Sequence, residues 1–193
     1  KWKSAFDAWA GFNQLGCTEK ASRLMTIATS LGLRQWTVMP FWVTNGPSFF
    51  MDAILELFSD LLFDGMQDLN AWLDFFMDDG GLGTGDYDAP DDEALFDQHL
   101  QALGRVFARA QTAGMRFKLT KCFFCQLEVD MLGMKVGMGT VKADEAKCRA
   151  IFDWPRPSRR EDVERFLCTM GFIRQHLTPM FSEIAQPLRE TLK

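Results

Sequence analysis

Two adjacent carboxylates, Asp78 and Asp79, close the apolar run Phe75-Phe76-Met77, and Gly80 and Gly81 follow at once. Like charges side by side repel, so the pair either decorates a solvated turn or binds something divalent. A third acid, Asp7, lies near the end of residues 4–8, which read as a short strand. If that strand lies beside one delivering Asp78 and Asp79 into a tight turn, three carboxylates share a small space. Such a cluster is costly unless cations neutralise it. Carboxylates are hard oxygen ligands that suit Mg²⁺, and two such ions roughly 4 Å apart stabilise both the attacking and the leaving oxygen of a phosphoryl transfer.

The elements that would position these acids can be read from periodicity and turn chemistry. Residues 24–29 and 33–38 read as a hairpin around Leu31-Gly32. Asn45 or Ser48 caps a helix with Pro47 in its first turn, and Phe49, Ala53, Ile54, Leu57 and Leu61 form its apolar stripe. Residues 69–77 read as a strand, and the Gly-rich acidic stretch up to Pro90 as a loop. Asp91, Asp92 and Glu93 start a second helix, where the helix dipole favours acids. Its stripe is Leu95, Leu100, Leu103, Phe107 and Ala110, and Gly114 ends it. Residues 115–119 and 127–138 read as strands. A helix over 144–152 stops before Pro155. Ser158 to Glu161 has the pattern of a capping box for a helix carrying Val163, Phe166, Leu167 and Met170, and a last helix covers 182–192. The shift from mixed strand and helix to all helix predicts a division into residues 1–141 and 142–193.

Composition narrows the function classes. The chain has 193 residues, is 47% hydrophobic with 18 Phe, and carries a formal charge of −5, so it can build a core and is not a broadly basic nucleic-acid coat. No apolar run reaches the roughly 18 residues of a membrane span. Residues 1–4 do not read as a signal peptide. Five cysteines at irregular spacing are expected to be reduced thiols of an intracellular protein, in cytoplasm or nucleus. From Gln35 to Gly104 there is no Lys or Arg, while the same stretch holds Asp52, Asp64, Asp74, Asp78, Asp79 and Asp86 among its acids. Most of these acids read as solvated surface. A field this negative repels phosphates, so a nucleic acid bound there needs metal ions in between.

Other chemistry-bearing residues read as structural. Cys122-Phe-Phe-Cys125 lacks the second pair or histidine of a zinc site. His99 and His176 read as surface or satisfied. Arg156, Arg159, Arg160, Arg165 and Arg174 form a solvated helix face, with phosphate contact as the alternative.

Three ordered stretches, Phe6-Asp7-Ala-Trp-Ala-Gly11-Phe12-Asn-Gln14-Leu15, Trp36-Thr-Val-Met39-Pro40-Phe41-Trp42-Val43-Thr44-Asn45-Gly46-Pro47 and Phe75-Phe76-Met77-Asp78-Asp79, resemble reverse transcriptases of Ty3/gypsy-type LTR retrotransposons. Gly114-Met-Arg-Phe-Lys118-Leu-Thr-Lys121-Cys122, Met131-Leu132-Gly133, Trp154-Pro155, Phe166-Leu167 and Pro187-Leu188 continue the resemblance over nearly the whole chain. It implies an α+β polymerase palm, an antiparallel sheet backed by helices, over residues 1–141, followed by a small helical thumb and the start of the connection. It implies that Asp7, Asp78 and Asp79 are catalytic and hold two Mg²⁺, with Mn²⁺ as a substitute. Phe12 matches the aromatic gate against a ribose 2′-hydroxyl; packing in the core is the alternative. Ala8 would offer backbone near the triphosphate, residues 39–47, including Phe41, Trp42 and Pro47, would floor the nucleotide pocket, and Lys118 or Lys121 would lie near the nucleotide. Met131, Leu132 and Gly133 match the primer grip.

The chain departs from the family pattern at three places. Trp42 stands where glycine is usual, and an indole there could fill the pocket; ordinary packing is the alternative. Phe76 replaces the usual tyrosine. The sequence also starts almost at the first aspartate motif, with little of the basic fingers. Two functions follow as expectations. The first is an RNA-directed DNA polymerase domain working on an RNA or DNA template–primer and deoxynucleotides. The second is a non-catalytic palm–thumb scaffold bound to protein subunits of a larger assembly.

Overall fold

The computed structural model describes residues 1–63, 66–90, 93–174, 177 and 179–192. Asp64, Asp91, Asp92 and His176 lie outside them; of the expected acidic start of the second helix, Glu93 is described and stands in the first turn. The chain divides into two compact units, residues 1–132 with 136–139, and residues 133–135 with 140–193.

The first unit is built on the strand β1 (Trp2–Asp7). A short helix α1 (Glu19–Leu24) follows, capped by Thr18, whose hydroxyl accepts from the Ala21 N–H at 3.2 Å. The hairpin β2 (Ile27–Thr29) and β3 (Gly32–Arg34) turns around Leu31-Gly32 as expected, but with shorter arms. Leu24 belongs to α1, because the threonine cap starts a helix there. Helix α2 (Gly46–Leu57) begins with Asn45 at its N-cap and Pro47 in its first turn, and α3 (Ser59–Phe63) follows directly. Phe50 and Ile54 are the large apolar side chains that α2 buries, while Phe49 is 61% exposed. Ile54 and Leu61 are buried as expected and Leu57 packs against the core, while Phe50 takes the inward place expected of Phe49; its ring fills the space a Gly11 side chain would need, 2.8 Å from a Cβ.

β4 (Ala71–Phe76) and β5 (Asp79–Thr84) form a tight hairpin, and the sheet runs β4-β5-β1-β6, with β6 at Phe123–Gln126. The pairings of β5 with β4 and β1, and of β1 with β6, are antiparallel. The strand β5 replaces the expected acidic loop. Its sequence, Asp-Gly-Gly-Leu-Gly-Thr, has poor strand propensity, but its glycines are filled from outside. A Cβ on Gly80 would meet the Phe75 ring at 2.5 Å and the Phe6 ring at 2.8 Å. On the other face, Met131 and Trp72 occupy the corresponding space at Gly81.

Helix α4 (Glu93–Ala113) buries His99, Ala102, Leu103, Val106 and Ala110, and Gly114 follows in the left-handed region at φ 69°. The core lies between this helix, α2, α3 and the inner face of the sheet, with Phe6 at its centre. Four rings surround Phe6 with centroids 5.6–6.4 Å away: Phe75, Phe107, Phe117 and Phe124. Phe75 also stacks on Phe58 at 4.6 Å. Leu100, expected in the stripe, is exposed, because the polar His99 takes the inward position. His99 is 0% exposed. Its Nε2 pairs with the Ser4 hydroxyl at 2.8 Å and its Nδ1 with the Thr84 hydroxyl at 2.9 Å, so both ring nitrogens are satisfied and α4 is tied to β1 and β5.

Residues 115–119 form one bridge, Ala8 to Phe117, rather than a strand. Residues 127–138 fold as two strands, β7 (Glu128–Met131) and β8 (Met134–Gly137), around Leu132 and Gly133 at φ 52° and 70°. Two positive φ values are the signature of the two-residue hairpin turn that matches strand twist. With β9 (Thr140–Ala143) they make a sheet in the order β7-β8-β9.

The second unit is helical beyond β9. Asp144 caps α5 (Glu145–Phe152) through the Ala146 N–H at 2.7 Å. The box at the next helix, α6 (Arg160–Ile173), sits one residue later than expected: Asp162 accepts from the Arg159 N–H at 3.1 Å and supplies the carboxylate assigned to Glu161. Trp154 meets Phe166 edge-on at 6.1 Å. The last segment is two short helices, α7 (Phe181–Ile184) and α8 (Gln186–Glu190), broken where Pro187 enters the first turn of α8.

Gly80→Ala is expected to lower unfolding stability by roughly 1–3 kcal/mol, the usual cost of overpacking, as read by urea denaturation. Burial lowers the His99 pKa to about 4. The unfolded chain therefore takes up a proton near pH 6.5 that the folded chain refuses, and stability falls as pH drops from about 6.5 to about 4, by about 3 kcal/mol in full. Denaturation at pH 7 and pH 4.5 measures the slope, and His99→Gln is expected to flatten it.

Candidate active site

Strand register brings the acids together. β1 and β5 pair so that Asp7 stands opposite Asp79 and Phe6 opposite Gly80. Directly opposed residues of an antiparallel pair project to the same face. Asp7 and Asp79 therefore share the face away from Phe6 and the core. Beyond the last pair, the Ala8 N–H donates to the Asp78 carbonyl at 2.8 Å, which fastens the hairpin turn to the end of β1. The turn itself is Met77-Asp78, with Met77 at φ 58°. A positive φ is uncommon for a side chain of this size; the Met77 N–H donates to Met51 Sδ of α2 at 2.9 Å, which braces the turn.

The other side of β1 is tied to residues 116–118. The Trp9 N–H donates to the Arg116 carbonyl at 2.9 Å and the Lys118 N–H to the Asp7 carbonyl at 2.8 Å. Gln14 bridges the same two segments through the Trp9 carbonyl, the Arg116 carbonyl and the Arg116 N–H, at 2.7–2.9 Å. The Arg116 guanidinium lies 4.8 Å above the Trp9 ring. This anchoring brings the tight turn Leu119–Lys121 beside Asp7, where Lys121 Nζ donates to Asp7 Oδ2 at 2.7 Å.

The electrostatics match the geometry. Burial raises the Asp79 pKa, and the negative charges of Asp78 and Asp7 raise it further, while Lys121 pulls it back. The hydrogen bond to Asp7 holds the Lys121 ammonium above its ordinary value. Three carboxylates that feel one another and one ammonium are a donor set that fits a hard divalent cation. Among the described residues no three His, Cys, Asp or Glu side chains are already arranged around one metal position, and the Asp7 carboxylate is engaged by Lys121.

A cleft of about 300 Å³ opens beside the acids. Asp7, Ala8, Phe12, Phe41, Asp78, Lys118 and Lys121, all expected from sequence, line it. Trp9, Ala10, Gly11 and Phe50 line it as well and were not singled out; Gly11 between aromatic residues was the available signal. Phe12 stands edge-on between Phe41 at 5.6 Å and Phe50 at 5.3 Å. Ala8 lines the cleft, with its N–H donated to the Asp78 carbonyl. Two expectations change. Trp42 is 60% exposed and outside the cleft lining, so its indole does not fill the pocket. Pro47 starts α2 and lies outside that lining too. Of the expected primer-grip residues, Met131 packs over Gly81, and Leu132 and Gly133 make the β7–β8 turn.

The model of the family described as reverse transcriptase (RNA-dependent DNA polymerase) matches residues 1–136. The chain belongs to the reverse transcriptase family. Its relatives include the retrovirus-related Pol polyproteins of two Drosophila melanogaster transposons. Transposon 297 is 25% identical over 98% of this chain and 16% of the relative. Gypsy is 23% identical over 100% of this chain and 17% of the relative. The chain thus spans about a sixth of their length. It shares its fold with a foamy viral protease–reverse transcriptase solved in complex with an RNA/DNA hybrid, at a TM-score of 0.81 and 22% identity, covering 100% of this chain and 24% of that one. A second foamy viral structure, in complex with double-stranded DNA, gives a TM-score of 0.80 at 24% identity, covering 98% of this chain and 30% of that one. The fold is the polymerase palm followed by a small helical thumb and connection expected from the motifs.

Lys121→Met is expected to move the Asp79 pKa further up, because it removes the one cation that lowers it, and Asp78→Asn is expected to move it down. Carboxyl ¹³C NMR titration of the two variants reads both directions.

Proposed function

We propose that this chain acts as an RNA-directed DNA polymerase domain of a retroelement. The observation that carries the reading is the register of β1 and β5, which sets Asp7 opposite Asp79 and, with Asp78 fastened to Ala8, brings Asp7 and Asp78 into the lining of one cleft beside which Asp79 follows in the chain. In the reaction, the 3′-hydroxyl of a primer attacks the α-phosphate of a deoxynucleotide, the new phosphodiester bond forms, and pyrophosphate leaves. Asp7, Asp78 and Asp79 hold two Mg²⁺, or Mn²⁺ in their place. When bound, such ions lower the charge on the phosphates and on the attacking and leaving oxygens.

The rest of the work falls to this chain's own side chains. Phe12, held between Phe41 and Phe50, presents a rigid edge in the cleft where a ribose 2′-hydroxyl would clash. Lys118 and Lys121 supply the cationic wall that the chain from Gln35 to Gly104 cannot. Met131, Leu132 and Gly133 guide the primer end. Residues 1–141 serve as palm, and residues 142–193 as thumb and start of the connection; the compact units support a division close to that point. The substrates are an RNA or DNA template–primer and deoxynucleotides.

Primer extension by the purified chain on an RNA template with Mg²⁺ or Mn²⁺ tests the reading. Extension that falls at least 100-fold in Asp78→Asn, roughly the loss expected when charge stabilisation of a transition state is removed, is the expected result. Folded protein that neither binds a primer–template nor extends it would refute the reading.

A further inference from the structure

The Lys121 ammonium holds Asp7 Oδ2 at 2.7 Å, on the carboxylate that the metal-site reading assigns to a cation. The two partners differ in freedom: the Asp7 side chain is nearly buried, whereas that of Lys121 is more than half exposed. Asp7 is fixed by its pairing with Asp79, and the carbonyl of Asp7 accepts from the Lys118 N–H at 2.8 Å, which keeps the Lys121 turn beside it. The ammonium is thus delivered to Asp7 by the backbone on which Asp7 itself depends. The hairpin that carries Asp78 and Asp79 has no cation of its own, since Gln35 to Gly104 contains no Lys or Arg, so the counter-charge for the cluster has to come from another part of the chain. Lysine suits that task because its ammonium is a compact point charge on a flexible stem.

We propose, resting on the metal-site reading above, that Lys121 is an internal competitor for divalent cations: its ammonium and a metal ion exclude one another at Asp7 Oδ2, and metal binding releases the Lys121 side chain into the cleft. In this arrangement Lys121 offsets the carboxylate repulsion whenever a divalent ion does not. Competition of this kind weakens the apparent metal affinity by the strength of the ion pair. For a pair with one exposed partner that is roughly two- to fivefold.

Mn²⁺ binding to the full chain, followed by the loss of the free-ion EPR signal at fixed pH and ionic strength, tests this directly. Lys121→Met is expected to bind Mn²⁺ roughly two- to fivefold more tightly than the unchanged chain, the range of an ion pair with one exposed partner. Lys121→Arg keeps the counter-charge and should stay near the original affinity, and Asp78→Asn should weaken binding. Lys121→Gln is a second neutral variant, with thermal melting as the check that each variant folds. An affinity unchanged or weaker in both neutral variants, with Asp78→Asn still weakening it, overturns the competitor role and leaves the metal site standing. An absence of Mn²⁺ binding in the unchanged chain and in both neutral variants overturns the metal site, and the competitor role with it.

Discussion

One pairing governs the molecule: β1 against β5, with Asp7 opposite Asp79. Because side chains alternate along a strand, a slip of one residue would send every one of them to the opposite face. Asp7 would then enter the Phe6 core and Phe6 would enter the cleft. The register is therefore held by what lies on both faces. Toward the core, the Phe6 and Phe75 rings fill the notch at Gly80. At the end of β1, the bond from Ala8 to the Asp78 carbonyl stops the hairpin from sliding. The buried His99 adds a polar lock, since Ser4 and Thr84 reach its two nitrogens only in this register.

The site's electrostatics follow from that pairing. Burial raises the Asp79 pKa, and the repulsion of a sheet that places carboxylates side by side raises it further. The chain meets it with a cation from a distant segment, brought in by backbone bonds between residues 7–9 and 116–118. Folding and charge balance are thus carried by the same strand end. The cleft beside it is walled by aromatic rings whose positions depend on a missing side chain, because Phe50 can support Phe12 only where Gly11 leaves room.

The sequence made the acids legible because their setting is local: an apolar run, two aspartates, two glycines. The strand β1, helices α2 and α4, and the order of the motifs were legible for the same reason. What escaped depends on residues far apart in the chain. The strand β5 reads as a loop because its glycines carry no apolar pattern; Phe6, Phe75, Trp72 and Met131 supply the packing from elsewhere. The inward place of Phe50 rather than Phe49 depends on the room that Gly11 leaves, and the inward turn of His99 on Ser4 and Thr84. Lys121 was recognised as a cleft residue, but its bond to Asp7 joins positions 114 residues apart. Trp42 stands where the resembled family has glycine, which left plug and ordinary packing both open, and its exposure is set by a backbone course that the substitution does not encode.

Asp7, Asp78 and Asp79, brought together by strand register, are proposed to bind divalent cations. The anomalous difference map of a crystal of this chain soaked in Mn²⁺ reads this site out. Strong peaks are expected within coordination distance of Asp7 and of the Asp78–Asp79 turn, with the Lys121 ammonium moved off Asp7. A well-ordered map with no peak at these carboxylates, and Lys121 still bonded to Asp7, would contradict the proposal.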